Sequence, residues 1–246
     1  MRKKFLLILF FLLGATKAQA NPIISGISTN EINIDHKFLG TKILLFGAKD
    51  DAGNVVIVVR GPKKNFLVTK KRKLLGIWFN GERVKFKDSY GLYSLFSTFG
   101  DQESTDQLLS DLELGKNNLN FQTSAEIEKA KKNEFKLQLI ESLEKSDLYR
   151  TSSNKIDFLN ETLFKVMLDF PKNISRGVYT VEIYLINEGS LTSFQSIPIY
   201  VNQVGLSAEI LDFAYNQSLL YGLLAIAIAL LFGWVANYLF LRFVNK

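Results

Sequence analysis

The chain has 246 residues, 47% hydrophobic and 22% charged, a balance that suits one large or two small packed domains and excludes wholesale disorder. It has no cysteine and a single histidine, His36, which excludes disulfides, thiolate chemistry, cysteine metal sites and any multi-histidine metal centre within one chain. The formal charge is +6, but Arg2, Lys3, Lys4 and Lys17 lie in a segment expected to be removed. Setting those four aside leaves 26 of the 30 basic residues against 24 acidic ones, which gives no support to a nucleic-acid partner.

The N-terminus reads as a signal peptide over residues 1–20: a charged start, an apolar run from Phe5 to Leu13, and a small-x-small site at Ala18-Gln19-Ala20. As a helix that run reaches only ~14 Å, too short for a hydrocarbon core of ~30 Å. Residues 21–205 are expected to form the exported domain.

Lys42–Lys49 and Asn54–Arg60 are β-branched-rich runs separated by Asp50-Asp51-Ala52-Gly53, and the pair reads as a hairpin. Gly61-Pro62 stops the second strand. Further strands are expected at Phe66–Lys70 and Leu74–Phe79, with Asn80-Gly81 as a tight turn and Arg83–Phe86 as the return.

From about 101 to 150 the composition becomes helical. Thr105–Leu114 predicts a helix ended by Gly115, and Thr123 with Glu126 predicts a capping box. Ile127, Ala130, Leu137, Ile140 and Leu143, widened by Phe135 and Leu139, form the expected buried stripe of this insert. Strands resume with Phe164, Val166, Leu168 and Phe170, then Tyr179, Val181, Ile183 and Leu185. Both alternate with period two, which predicts a sheet with one face on a core. Ile197–Val201 is a last strand, whose Pro198 points to an edge or first-residue position. The fold class expected is mainly β: an immunoglobulin-like β-sandwich with a helical insert, plus one C-terminal transmembrane helix.

Residues 206–217 read as a linker and 218–241 as the span. Leu219–Leu241 is 23 residues without a charge, roughly 34 Å as a helix. Tyr221, Trp234 and Tyr238 are interfacial aromatics, and the short tail 242–246 carries Arg242 and Lys246. This predicts one pass through a bacterial cytoplasmic membrane, N-terminus periplasmic and C-terminus cytoplasmic. Gly222, Ala225, Ala229, Gly233 and Asn237 fall near one face, which would let a multi-pass membrane protein pack closely.

Candidate chemistry is sparse. His36 lies beside Asp35, but no GxSxG elbow is present, and adjacent strand residues point to opposite faces. No catalytic residue, metal ligand or cofactor site is assigned, and the chain is read as a non-enzyme. The basic run Lys70-Lys71-Arg72-Lys73 is the densest positive patch; outside a cell it can meet anionic lipid, an anionic ligand or an acidic partner, or serve as a strand edge protected by lysines. Two functional readings follow. In the first, a membrane-tethered accessory module presents Trp78–Asn80 and the basic run to a protein partner. In the second, a binding module for a small anion uses Arg60, Lys71 and Arg72 as charge partners.

Several stretches in order resemble a family of alphaproteobacterial transmembrane proteins: Val58-Val59-Arg60-Gly61-Pro62, Gly76-Ile77-Trp78-Phe79-Asn80, Tyr93 to Thr98, Leu163-Phe164, Pro171 through Gly177-Val178-Tyr179, and Leu220-Tyr221-Gly222 through Gly233-Trp234. The resemblance implies a single-pass protein with a periplasmic domain. It also implies an accessory role beside a sulfite-exporter-like anion permease, and no mechanism.

Overall fold

The structure is a computed structural model that describes residues 22–244 except 51, 75, 99–106 and 155. The leader expected at 1–20, the Thr105 start of a helix, and Lys246 lie outside these residues. The described chain is mainly β. One sheet has the order β1 (Ile23–Ile27), β3 (Gly40–Lys49), β11 (Leu163–Pro171), β10 (Asp157–Phe158). A second has six strands in the order β2 (Glu31–Ile34), β13 (Ser190–Gln203), β12 (Gly177–Asn187), β4 (Asn54–Arg60), β7 (Tyr93–Ser97), β9 (Tyr149–Asn154). A third comprises β5 (Lys63–Leu74), β6 (Ile77–Tyr90) and β8 (Gln122–Thr123).

The first two sheets face each other across a core that includes Ile43 and Leu45 of β3, Val166 and Leu168 of β11, Ile57 and Val59 of β4, and Val181 and Ile183 of β12. The six-stranded sheet is also covered on its other side. Val56, Val58, Tyr184 and Ile186 turn away from the sandwich core into a second one, shared with Val84 and Phe86 of β6 and with Phe135, Leu139, Ile140 and Leu143 of helix α2 (Lys129–Lys145). The domain therefore has a third layer beyond the two sheets expected, and its central sheet is covered on both faces along β4 and the adjoining part of β12.

That layer explains the first correction. Lys42–Lys49 and Asn54–Arg60 are not a hairpin, because β3 pairs with β1 and β11 while β4 pairs with β12 and β7. Every residue of β4 from Val55 to Arg60 is buried. A strand apolar on both faces belongs in a middle layer with a neighbour on each side. β3 buries alternate residues and carries exposed Lys42 and Phe46, so it suits an outer sheet. The chain crosses between sheets at Asp50–Gly53, where Lys49 Nζ donates to Gly53 O at 2.8 Å. For the same reason β12 buries one face at Tyr179–Val181 but both faces at Tyr184–Ile186, against the one-sided burial predicted by its alternation.

The strands expected at 66–70, 74–79 and 83–86 are a single long hairpin, β5–β6. Its turn is at Gly76, whose φ of +86° suits glycine. Asn80-Gly81 lies inside β6, where the register shifts between Thr69 and Lys71, so the pair marks a bulge. A Cβ on Gly81 would sit 2.8 Å from Lys70 O, which keeps the position small.

The helical insert is also redrawn. Among the described residues helix α1 covers Gln107–Asp111 and stops before the expected end at Leu114. Thr123 pairs in β8 and no capping box forms, since α2 begins at Lys129 after Glu128 without a side-chain cap. The buried stripe is Phe135, Leu139, Ile140 and Leu143; Ala130 and Leu137 face solvent. Pro198 lies in the part of β13 that β2 does not pair, as its missing donor demands. The segment read as a linker is helical: α3 (Leu206–Asn216) leads through Gln217 into α4 (Ser218–Val244).

Candidate functional site

Beyond Val68 on β5 and Val84 on β6, the long hairpin leaves the second core and its tip is exposed. Cross-strand pairing aligns Lys71 with Asn80, Arg72 with Phe79 and Lys73 with Trp78. Directly paired residues share a face, and alternate residues share it too. Lys71, Lys73, Trp78 and Asn80 therefore occupy one face, and Arg72 and Phe79 the other. The Lys73 ammonium lies 5.7 Å from the centre of the Trp78 ring, within cation–π range.

Three consecutive large apolar side chains stand in solvent here: Ile77 at 63%, Trp78 at 63% and Phe79 at 50% of full exposure. An unbroken apolar triplet gives both faces of the tip an apolar body, framed by cations. Below it, ion pairs fix the hairpin to α2: Lys70 with Glu134 at 2.6 Å, and Lys131 with Glu82 at 3.1 Å. Arg72 reaches Glu82 at 3.9 Å. The hydrogen bond and charge of Lys131 hold the Glu82 carboxyl below its ordinary range. The tip is thus a braced projection rather than a free loop.

The structure brings Lys71, Arg72, Trp78 and Asn80 together and leaves Arg60 elsewhere. Arg60 is buried, ion-paired with Glu182, and donates to Leu112 O at 2.5 Å and to Tyr184 Oη at 3.3 Å. Its guanidinium also lies over the Tyr90 ring, 5.4 Å from the centre. Around it Tyr90 Oη donates to Glu113 Oε2, Tyr93 Oη to Glu113 O, and Tyr149 Oη to Tyr90 O. Burial pushes the Tyr93 hydroxyl up to about 12 and raises that of Tyr149. This network ties the 107–121 segment to the central sheet. The three cations nominated for a small anion accordingly do not converge.

His36 is exposed on the turn after β2, where Asp35 Oδ1 accepts the Lys37 N–H at 2.9 Å instead of orienting the imidazole. Among the described residues, no group of three or more His, Asp or Glu side chains gathers as metal ligands would. Ile77 is the tip residue that sequence reasoning did not nominate. The signal for it was Ile77-Trp78-Phe79 itself, a strand segment without alternation.

On α4, the stretch Ser218–Arg242 is 25 residues long, strongly hydrophobic, without a charge before Arg242 and unburied, so it is long enough to cross a membrane. At 100° per residue Gly222, Ala225, Ala229, Gly233 and Asn237 fall within an arc of about 120°. Nothing lies within 4 Å of where a Cβ on Gly222 or Gly233 would stand. Trp234 and Tyr238 stack at 6.2 Å, and Arg242 Nη1 donates to Tyr238 Oη at 3.4 Å, an interfacial arrangement at the C-terminal end.

No curated protein and no solved structure matches the chain. A family profile described as "Putative transmembrane protein (Alph_Pro_TM)" matches residues 22–242, from the residue before β1 to Arg242, the first charge after the apolar run. With both the layered β domain and the apolar helix inside that match, the chain belongs to the Alph_Pro_TM family of transmembrane proteins.

Proposed function

We propose that the protein is a non-enzymatic, membrane-anchored interaction module. Its β domain stands on the periplasmic side of a bacterial cytoplasmic membrane, and its C-terminal tail is cytoplasmic. In this reading α4 is the anchor, and the β5–β6 tip engages the extramembrane surface of a multi-pass partner. The observation that carries it is the exposed Ile77-Trp78-Phe79 triplet framed by Lys71, Arg72 and Lys73. Exposed Trp, Phe and Arg are the side chains that dominate binding energy at protein interfaces. The matching surface is an apolar pocket rimmed by carboxylates. The resemblance noted above makes an anion permease of the sulfite-exporter kind the partner class to examine first, with the small-residue face of α4 packing against its helices.

A photo-crosslinking residue placed at Phe79 in the full chain, in its native membrane, is expected to trap a discrete membrane-protein adduct. Trp78→Ala combined with Arg72→Ala should remove it. The same adduct at undiminished yield in that variant sinks the reading. Orientation has its own check. Alkaline phosphatase fused just ahead of Leu219 should be active and a fluorescent protein there dark; the reverse pattern overturns the periplasmic assignment.

A further inference from the structure

Gly205 turns the chain from β13 into α3 with a φ of +83°. Just before it the Val204 N–H donates to Ile34 O at 2.9 Å, which fixes the start of the helix to the sheet edge. At the other end one residue, Gln217, separates α3 from α4. At 1.5 Å per residue α3 is only ~16 Å long, so the β domain and the span are held close together.

Gln217, at φ −132° and ψ 52°, is not helical, and the chain bends there. The Phe213 and Tyr221 rings report the bend. Along a straight helix those positions stand ~12 Å apart. Their ring centres are 6.1 Å apart, in an edge contact. Tyr221 lies in the first turn of α4, among the interfacial aromatics, so Phe213 is brought to that level.

At 100° per residue Leu206, Ile210, Phe213 and Ala214 fall within an arc of about 100° round α3. Glu209, Asp212 and Asn216 fall within a second arc of about 60°, and Leu211 and Tyr215 lie between the two. The helix turns its polar side to its own domain: Ala208 and Asp212 line a cleft of about 450 Å³ with Arg176, Val178, Tyr200 and Gln203. Leu206 and Ile210 point roughly 160° away from that pair. They are 72% and 48% exposed. An amphipathic helix that serves a soluble domain buries its apolar stripe against it, and α3 does the reverse.

We infer that α3 is an interfacial helix. It lies along the surface of the bilayer that α4 crosses, with Leu206, Ile210 and Phe213 in the headgroup–acyl boundary and Glu209 and Asp212 in water. The contact is apolar: α3 carries two carboxylates and no cation, so anionic headgroups add nothing to it. Continuity with the span favours lipid over another occupant, because the bend at Gln217 already sets Phe213 beside Tyr221. The helix thereby holds the base of the β domain at a fixed height over the leaflet instead of leaving it on a loose tether. The inference rests on α4 spanning. It holds for either side of the membrane and is independent of what the hairpin tip binds.

The chain has no cysteine, so a nitroxide can be placed at one position at a time. Full-length chain is labelled singly at Leu206→Cys, Ile210→Cys or Phe213→Cys, and at Glu209→Cys, Asp212→Cys or Asn216→Cys. Each is reconstituted in phosphatidylcholine nanodiscs at one chain per disc. Power saturation reads collisions with oxygen, which concentrates in lipid, and with an aqueous nickel chelate. The ratio of oxygen to nickel collisions is expected to be severalfold higher for the first three labels than for the second three. Phosphatidylglycerol or added sodium chloride should leave that pattern unchanged. With Leu206→Gln and Ile210→Gln present, the Phe213 label should lose its excess of oxygen collisions.

Equal nickel access on both arcs makes the segment a solvated linker and overturns the inference. Low access to both reagents at Ile210 means that the chain's own domain covers the apolar arc, and overturns it as well. If that loss appears only at two chains per disc, the arc belongs to a second copy and the lipid assignment fails. A pattern that needs phosphatidylglycerol would replace the apolar contact with an electrostatic one. A Leu230→Cys label open to the chelate would remove the span and this inference with it. Loss of the Phe79 crosslink with the oxygen pattern intact would sink only the tip reading.

Discussion

Arg60 shows how a charged residue can sit in a core without serving a ligand. Its guanidinium is neutralised by Glu182, hydrogen-bonded to Leu112 O and Tyr184, and stacked on Tyr90. Removing one partner of such a pair strands the other without solvent. Arg60→Ala is therefore expected to cost about 3–5 kcal/mol in denaturant unfolding of the purified chain, whereas Lys71→Ala at the exposed tip should fall within about 0.5 kcal/mol. Tyr93, beside this network, makes the fold alkali-sensitive. Its folded value of about 12 lies above the ordinary 10.0, so the folded state holds the proton more tightly than the unfolded state. Stability from this residue is fully present below pH 10 and is lost as pH rises towards 12. The unfolding midpoint should be flat up to pH 10 and then fall, and Tyr93→Phe should reduce the slope. Nothing in the run Val55–Arg60 announced that Arg60 faces inward; its countercharge Glu182 lies more than a hundred residues away, and Leu112 O and Tyr184 complete its hydrogen bonding.

At the scale of elements, the corrected stripe of α2 is directly testable. Phe135 is fully buried and Leu137 is mostly exposed, although helical periodicity allowed either register. Phe135→Ala should destabilise by about 3–5 kcal/mol and Leu137→Ala by less than about 0.5 kcal/mol in the same unfolding assay. The hairpin makes a similar point. Asn-Gly is a strong turn signal, yet the chain turns four residues earlier and uses Gly81 where two strands approach closely. Gly81→Ala forces a Cβ towards Lys70 O. Amide exchange at Lys70–Arg72 is expected to rise while the cores stay protected; unchanged exchange would show that the bulge tolerates a side chain. Local signals located β11, β12 and most of α2, because period-two and period-3.6 patterns are physical consequences of one-sided burial. They failed at β3–β4 because runs of β-branched residues show that strands form, and leave open which strands pair.

Over the described residues, the molecule joins a three-layer β domain to one long apolar helix. The domain resists one-sided reading because its central sheet is covered twice, by the facing sheet and by α2 with the β5–β6 hairpin. The helix is simpler, since its length and lack of charge suffice. Leu230 lies near its centre, and Leu230→Arg is expected to raise the insertion free energy by about 3 kcal/mol. That change would be read as a shift of the chain from carbonate-resistant to extractable membrane fractions. Half of the candidate tip was legible as well. The basic run and Trp78–Asn80 stood out in composition, but their alignment across one hairpin depends on a turn at Gly76 that the stronger Asn-Gly signal concealed.

The sequence by itself determined the β-rich class, the helical insert, the membrane-spanning helix and the residues of a basic, aromatic surface. Each depends on composition, periodicity or length within a short window. Tertiary structure alone decided that β4 is a middle strand, that Arg60 is a core residue and that a third layer exists. These are contacts between residues far apart in the chain, and no local pattern encodes which distant strand will supply the second face of a sheet or the countercharge of a buried arginine.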